Sequence, residues 1–182
     1  LKSGIKNRIV YRLQTPMINF IIKQSSKVIV ANEYERQIFL KFCDDSKISI
    51  VQNGINLESF HSKLPNFRKK YNIHNSFFLF LGRFNKIKGV DILLNAISLI
   101  KNHSMMSNIQ LVIMGVDFGF ESNMFQMINK LDIGKKVTVI KNPPRDYVLS
   151  AYRESKFLVL PSRWELSPLT PLEGFAFRKP VI

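Results

Sequence analysis

Apolar positions along this chain fall into two patterns, short continuous runs and longer stretches at three-and-four spacing, and the two patterns take turns. Lys27 to Ala31 (KVIVA) is a β-branched run that predicts a strand. Asn32, followed three residues later by Glu35, opens a helix whose apolar positions are Ile38, Phe39 and Phe42. Ile48 to Val51 (ISIV) returns as a strand and stops at the turn signal Asn53-Gly54. Ile55 to Pro65 has no period and reads as a linker, so a domain boundary is placed near Gly54, dividing the chain into residues 1–53 and 54–182.

Beyond the linker, a short helix is expected around Phe67 to Tyr71. Phe77 to Leu81 (FFLFL) is too uniformly apolar for a half-exposed strand and suits a sheet covered on both faces. Val90, Leu93, Leu94, Ile97 and Ile100 then share one helix face within Val90 to Asn102. The cycle repeats as strand Ile109 to Met114, helix Glu121 to Leu131, strand Lys136 to Ile140, helix Asp146 to Glu154 and strand Phe157 to Leu160. Strands alternating with helices predict right-handed crossovers and an α/β fold built on a doubly wound parallel sheet. In such sheets ligands bind at the carboxyl ends of the strands, so the loops after Leu81, Met114, Ile140 and Leu160 become the candidates. Leu1 in place of Met, and the closing Pro180-Val181-Ile182 that reads as the start of a buried strand, give the expectation of a chain cut at both ends.

Composition narrows the partners. With 46% hydrophobic and 22% charged residues the chain is of ordinary globular make-up. A net charge of +14 calls for an anionic partner, a nucleic acid, an acidic membrane surface or a phosphorylated small molecule. The Lys and Arg residues are spread along the chain without zinc-finger spacing, an aromatic RNA-binding strand or a heptad-linked basic region, which argues against nucleic acid. Cys43 is the only cysteine, which leaves no internal disulfide, points to a reducing compartment and reads as a small buried hydrophobe. His61, His74 and His103 are scattered without ligand spacing and read as loop or surface residues. The longest apolar runs, such as Met17 to Ile22, are far below the ~18 residues that span a bilayer. Lys2 to Lys27 does mix six cations with that run, a composition suited to an interfacial helix or, equally, to a helix packed on a neighbouring domain.

Two loops carry the candidate chemistry. Gly82-Arg83-Phe84-Asn85-Lys86-Ile87-Lys88-Gly89 places three cations between two glycines at a strand-to-helix turn, where an anion docks readily or where a basic loop is simply solvated. It matches neither a Walker nor a dinucleotide glycine pattern. The second loop, Pro161 to Gly174, holds Glu165 and Glu173 eight positions apart. On one helix that spacing sets them roughly 80° apart, so the pair is useful only with Glu165 in the loop and Glu173 on the helix. Thr170 as N-cap and Pro171 at the first helical position support the split, although Thr170 and Glu173 also spell a capping box.

In combination, these pieces resemble the family 4 retaining glycosyltransferases of the two-domain GT-B architecture. The matching residues are Asn53-Gly54-Ile55 with Phe60, Gly82-Arg83 with Lys88-Gly89, Gly115, Pro161-Ser162 before Glu165 and Glu173, Gly174-Phe175-Ala176, and Lys179 to Ile182. The resemblance implies Rossmann-like domains, with residues 1–53 a remnant of the amino-terminal, acceptor-side domain and 54–182 the nucleotide-sugar-binding domain, shortened at its carboxyl end. It further implies that Gly82, Arg83 and Lys88 hold the donor diphosphate and Glu173 the ribose, while catalytic Glu165 holds the hydroxyls of the transferred sugar. The amides of Ser167 and Leu169 then face sugar or phosphate, and Asn142 and Pro143 line the base pocket. Pro168 departs from the family's glycine-rich run and has no N–H to offer.

The activity implied is transfer of a sugar from a nucleotide diphosphate sugar to an acceptor with retained anomeric configuration, in glycan or glycolipid synthesis. No cofactor is implied and, with no Asp-x-Asp motif, no metal. The partners implied are the sugar nucleotide and an acceptor, in the cytoplasm, with peripheral contact at the inner face of a membrane. The alternatives are a truncated, non-catalytic nucleotide- or membrane-binding remnant and another GT-B-like enzyme such as a nucleotide-sugar epimerase. Because catalysis in the family occurs between two domains, these 182 residues alone are expected to bind nucleotide weakly and to transfer no sugar.

Overall fold

The computed structural model describes residues 5–60 and 63–182; His61 and Lys2, invoked above, lie outside them. The chain divides into two compact units, Leu1–Asn53 and Gly54–Ile182. In the first, helix α1 (Ile5–Gln24) is followed by strand β1 (Val28–Val30), helix α2 (Glu33–Phe39) and strand β2 (Ile48–Ile50), with β1 and β2 paired in parallel. The predicted opening of α2 is built from two reciprocal bonds. The Glu35 amide donates to Asn32 Oδ1 at 2.9 Å, and the Glu35 carboxylate accepts from the Ala31 amide at 2.6 Å. Cys43, expected buried, is half-buried, its thiol against the Phe39 carbonyl. Among the described residues no helix is long and apolar enough to cross a membrane.

The second unit is a three-layer sandwich. Helix α3 (Phe67–Tyr71) leads into strand β3 (Ser76–Leu81), then helix α4 (Val90–Ile100), strand β4 (Ile109–Gly115), helix α5 (Glu121–Lys130), strand β5 (Val137–Lys141), helix α6 (Arg145–Glu154) and helix α7 (Leu169–Ala176). The sheet runs β3-β4-β5, all parallel. The apolar run of β3 is buried on both faces, as its composition requires. Phe78 and Phe80 join the core under α4 and α5, while Phe77 and Leu79 join the opposite core with Phe67, Val148 and Tyr152. Each such side chain, fully withdrawn from water, stabilises the sheet by about 1.5–3 kcal/mol.

Phe157 to Leu160 differs from expectation. It is extended and held between neighbours, yet forms bridges instead of a regular strand: Leu158 pairs with Leu79 of β3 on one side and with Val181 on the other. Backbone bonds Leu79 N to Phe157 O, Val159 N to Leu79 O and Ile182 N to Leu158 O lace the three segments together. The sheet therefore continues outward from β3 through residues 157–160 to 181–182. The winding reverses here. From β3 the chain steps toward β5 with α4 and α5 on one face, then α6 carries it back across the other face to the far side of β3.

Two glycines admit no side chain at the carboxyl edge. A Cβ on Gly115 would stand 1.8 Å from the Gly82 carbonyl oxygen, and one on Gly89, whose φ is +70°, would stand 1.9 Å from that of Pro161. Gly115→Ala is expected to cost about 3 kcal/mol, the upper range for overpacking a core. Gly54→Ala, where a Cβ meets nothing within 4 Å, is expected to stay within ~0.5 kcal/mol of the parent. Denaturant midpoints of the two variants check the contrast.

Candidate functional site

The winding reverses between β3 and the 157–160 segment, the place where a doubly wound sheet binds its ligand, and two loops follow the carboxyl ends of these neighbours. One is the loop from Gly82 to Gly89. Phe84 is fully buried and anchors it, its amide donating to Val116 O at 2.8 Å while its carbonyl accepts from Phe118 N at 3.0 Å. Asn85 caps the following 3₁₀ turn Lys86–Lys88 by accepting from the Lys88 amide at 2.9 Å. Arg83 is exposed, its guanidinium 5.0 Å above the centre of the Phe118 ring, and among the described residues it has no carboxylate partner.

The other loop runs from Pro161 to Pro168. Here the structure joins the two candidate loops directly: Lys88 Nζ lies 2.5 Å from Glu165 Oε1, across 77 positions of sequence. Ser162 Oγ donates to the same carboxylate oxygen at 2.7 Å. Arg163 forms a bidentate pair with Asp91 at 2.7 and 2.8 Å, and its hydrogen bond holds the Asp91 carboxyl below the usual carboxylate range. Asp91 sits in the first turn of α4, immediately after the basic loop.

Glu165 is in the loop and Glu173 on α7, the one arrangement in which the pair is useful. The start of α7 differs from expectation. Leu169 is its first residue and Pro168 its N-cap, so Thr170 does not cap and Pro171 lies in the third helical position. The sequence signal misled because the first four helical amides need no intrahelical partner, which lets Pro171 sit anywhere in the first turn. With Thr170 displaced, Glu173 is released from the capping box. It is buried, and its carboxylate accepts instead from Arg145 Nη2. Tyr152, fully buried nearby, has its hydroxyl pushed well above the ordinary range, first by burial and next by the charge of Glu173.

Of the remaining candidates, Gly82 donates its amide to Met114 O at 3.0 Å. Asn142, left-handed at φ 48°, donates its amide to Gly115 O at 2.8 Å, which sets it at the same edge of the sheet. Leu169 opens α7 with its side chain exposed, and Ser167 lies in the loop just before it. His74 is exposed beside Asn72 and His103 is exposed. Arg145 is the residue that sequence reasoning passed over. Its only local signal is its place at the start of α6, after a β5 loop that carries Asn142, Pro143 and Pro144.

The arrangement offers an exposed guanidinium, a lysine and the amides of a helix start to an anion, beside two carboxylates suited to accept from hydroxyl groups. Each carboxylate is paired with a cation in the free chain. Removing Arg145 would leave Glu173 buried without its partner, so Arg145→Ala is expected to lose about 1–3 kcal/mol of stability. The double variant Arg145→Ala/Glu173→Gln should regain most of that loss. Urea titrations of the two singles and the double measure the coupling, and additive losses would show the pair to be energetically idle.

Comparison with known proteins places this chain in a family. The chain is 29% identical over its whole length to an uncharacterized glycosyltransferase of Methanocaldococcus jannaschii, of which it covers 44%. Among solved structures it resembles WaaG, a glycosyltransferase involved in lipopolysaccharide biosynthesis, with a TM-score of 0.81 at 21% identity over 99% of this chain and 51% of that one. It also resembles Anabaena HepE in complex with UDP and glucose, with a TM-score of 0.74 at 16% identity over 96% of this chain and 46% of that one. These likenesses show the GT-B fold. The chain spans less than half the length of the curated relatives it matches. Residues 65–182, from α3 to the end of the sheet and including every loop of the candidate site, match the family described as glycosyl transferases group 1, and the chain belongs to that family.

Proposed function

We propose that this chain supplies the donor-binding half of an enzyme that moves a sugar from a nucleotide diphosphate sugar to an acceptor with retention of anomeric configuration. The observation that carries the reading is the contact between Lys88 and Glu165. It brings the basic loop after β3 against the acidic loop after residues 157–160 at the crevice where a doubly wound sheet binds its ligand. The UDP and glucose bound to HepE, named above, make a uridine diphosphate sugar one donor to test.

In this reading Arg83 and Lys88 hold the diphosphate, with the Gly82 backbone close beside it. Glu173 accepts from the ribose hydroxyls and Glu165 from those of the transferred sugar. The amides of Ser167 and Leu169 face sugar or phosphate, and Asn142 borders the base. Ligand hydroxyls and phosphates then take over the partners that Glu165 and Glu173 have in the free chain. As the glycosidic bond breaks, negative charge gathers on the departing diphosphate, and fixed cations already aimed there stabilise it without reorganising. Residues 1–53 belong, on the same reading, to the acceptor-side domain, and the product enters a glycan or glycolipid.

Calorimetric titration with UDP, GDP and ADP tests the assignment. Arg83→Ala is expected to weaken the nucleoside diphosphate that binds by about 1.5–3 kcal/mol, the worth of a charge-assisted hydrogen bond. Unchanged affinity would refute the role. A second reading rests on α1, where Leu13, Met17, Phe20 and Ile21 are exposed at one-face spacing ahead of Lys23 and Lys27. We infer peripheral contact with an anionic membrane at the cytoplasmic face. The chain should sediment with vesicles rich in phosphatidylserine at low salt and be released as salt rises. Absence of co-sedimentation at low salt removes the idea.

A further inference from the structure

We infer that Arg163 is a positioning residue for the anion site, acting on the ligand through Lys88 and not by touching it. The inference rests on the reading of Lys88 as a diphosphate-binding cation. Arg163 is the residue through which the acidic loop grips the basic one. Its two terminal nitrogens hold both oxygens of Asp91 at 2.7 and 2.8 Å. Nη1 also donates to the Lys86 carbonyl at 2.6 Å, and the Arg163 amide donates to the Ile87 carbonyl at 2.8 Å. The two carbonyls belong to the 3₁₀ turn that ends in Lys88, and Asp91 is only three residues beyond it.

The consequence for Lys88 is geometric. Its turn is a single three-residue piece, capped at one end by Asn85 and closed at the other by Gly89, whose Cα already abuts Pro161. Arg163 holds the middle of that piece from the side, and two residues further on Glu165 receives the Lys88 ammonium. Backbone and side chain of the same cation are thus set by one short loop. Both terminal nitrogens of Arg163 are engaged, which leaves the guanidinium poorly placed to bind a phosphate itself. The task suits arginine because a planar fork can hold a carboxylate and a carbonyl together, whereas a lysine offers a point charge. The pair is also partly exposed, with side chains 38% and 18% accessible, so it is a weak source of global stability and a better source of local order.

The test compares affinities for nucleoside diphosphate and monophosphate, using UDP, GDP and ADP with UMP, GMP and AMP, by calorimetry on the whole chain. A loss of folded protein weakens both ligands alike, whereas displacement of Lys88 falls on the diphosphate. Arg163→Ala is expected to lower the diphosphate preference about tenfold, and Arg163→Lys to leave it low. In a Lys88→Ala background, Arg163→Ala should change the preference no further, because the route through Lys88 is gone. Asp91→Asn, which takes the carboxylate from the fork and leaves only its bond to the Lys86 carbonyl, should reproduce the loss in part and serves if Arg163→Ala folds poorly. Equal weakening of both ligands, or a full additional loss in the Lys88→Ala background, overturns the inference while leaving Lys88 as a binding residue. A Lys88→Ala chain that keeps its diphosphate preference overturns the Lys88 reading itself.

Discussion

The approach of Gly89 to the Pro161 carbonyl, too close for any side chain, sets the separation of the two loops from which the candidate site is made. It stands at the point where the winding of the sheet reverses, beside the neighbouring segments β3 and 157–160 that the two loops follow. Once the backbones touch there, Arg163 reaches Lys86, Ile87 and Asp91, and Lys88 reaches Glu165. The ion pairs follow from the contact. They could not create it alone, because partly exposed pairs contribute too little to hold loops whose backbones are free.

The same edge shows how the buried core serves the surface. Phe84 projects into the core from the middle of a basic loop and ties it to the loop after β4, so Arg83 is displayed from a rigid base. Gly115 lets the β4 end pass against Gly82, which brings Asn142 alongside through its bond to Gly115. On the other face, the Tyr152 ring stacks on Phe177 with centroids 5.9 Å apart, and Phe60 leans on Phe177 at 5.1 Å. Phe177 closes α7 as its C-cap, and Glu173 on that helix is buried. A buried carboxylate requires a cation, and Arg145 provides it.

Charge at the site is arranged in matched pairs, Lys88 with Glu165 and Arg145 with Glu173, while Arg83 stands over an aromatic ring. In a chain of net charge +14 this matters. On the proposed reading, a ligand that carries both phosphates and hydroxyls satisfies the cations and the carboxylates together, which a bare anion does not.

The alternating order of elements, the doubly wound sheet and the burial of β3 on both faces were legible in the sequence, because periodicity records which side of each element meets water. The two loops were legible too, since cations between glycines and paired glutamates are local patterns. What the chain alone left open was decided by packing. The capping box of Thr170 and Glu173 and the salt bridge of Glu173 with Arg145 are rival uses of one carboxylate, and only the start of α7 at Leu169 chooses between them. The 157–160 run looked like a regular strand, but its pairing depends on neighbours distant in sequence. Among 27 lysines and arginines Arg163 carried no distinguishing mark, and Arg145 only its place after Asn142-Pro143-Pro144. A salt bridge across 28 or 72 positions is set by the crossing of helices and loops, and that crossing exists only once the core has closed.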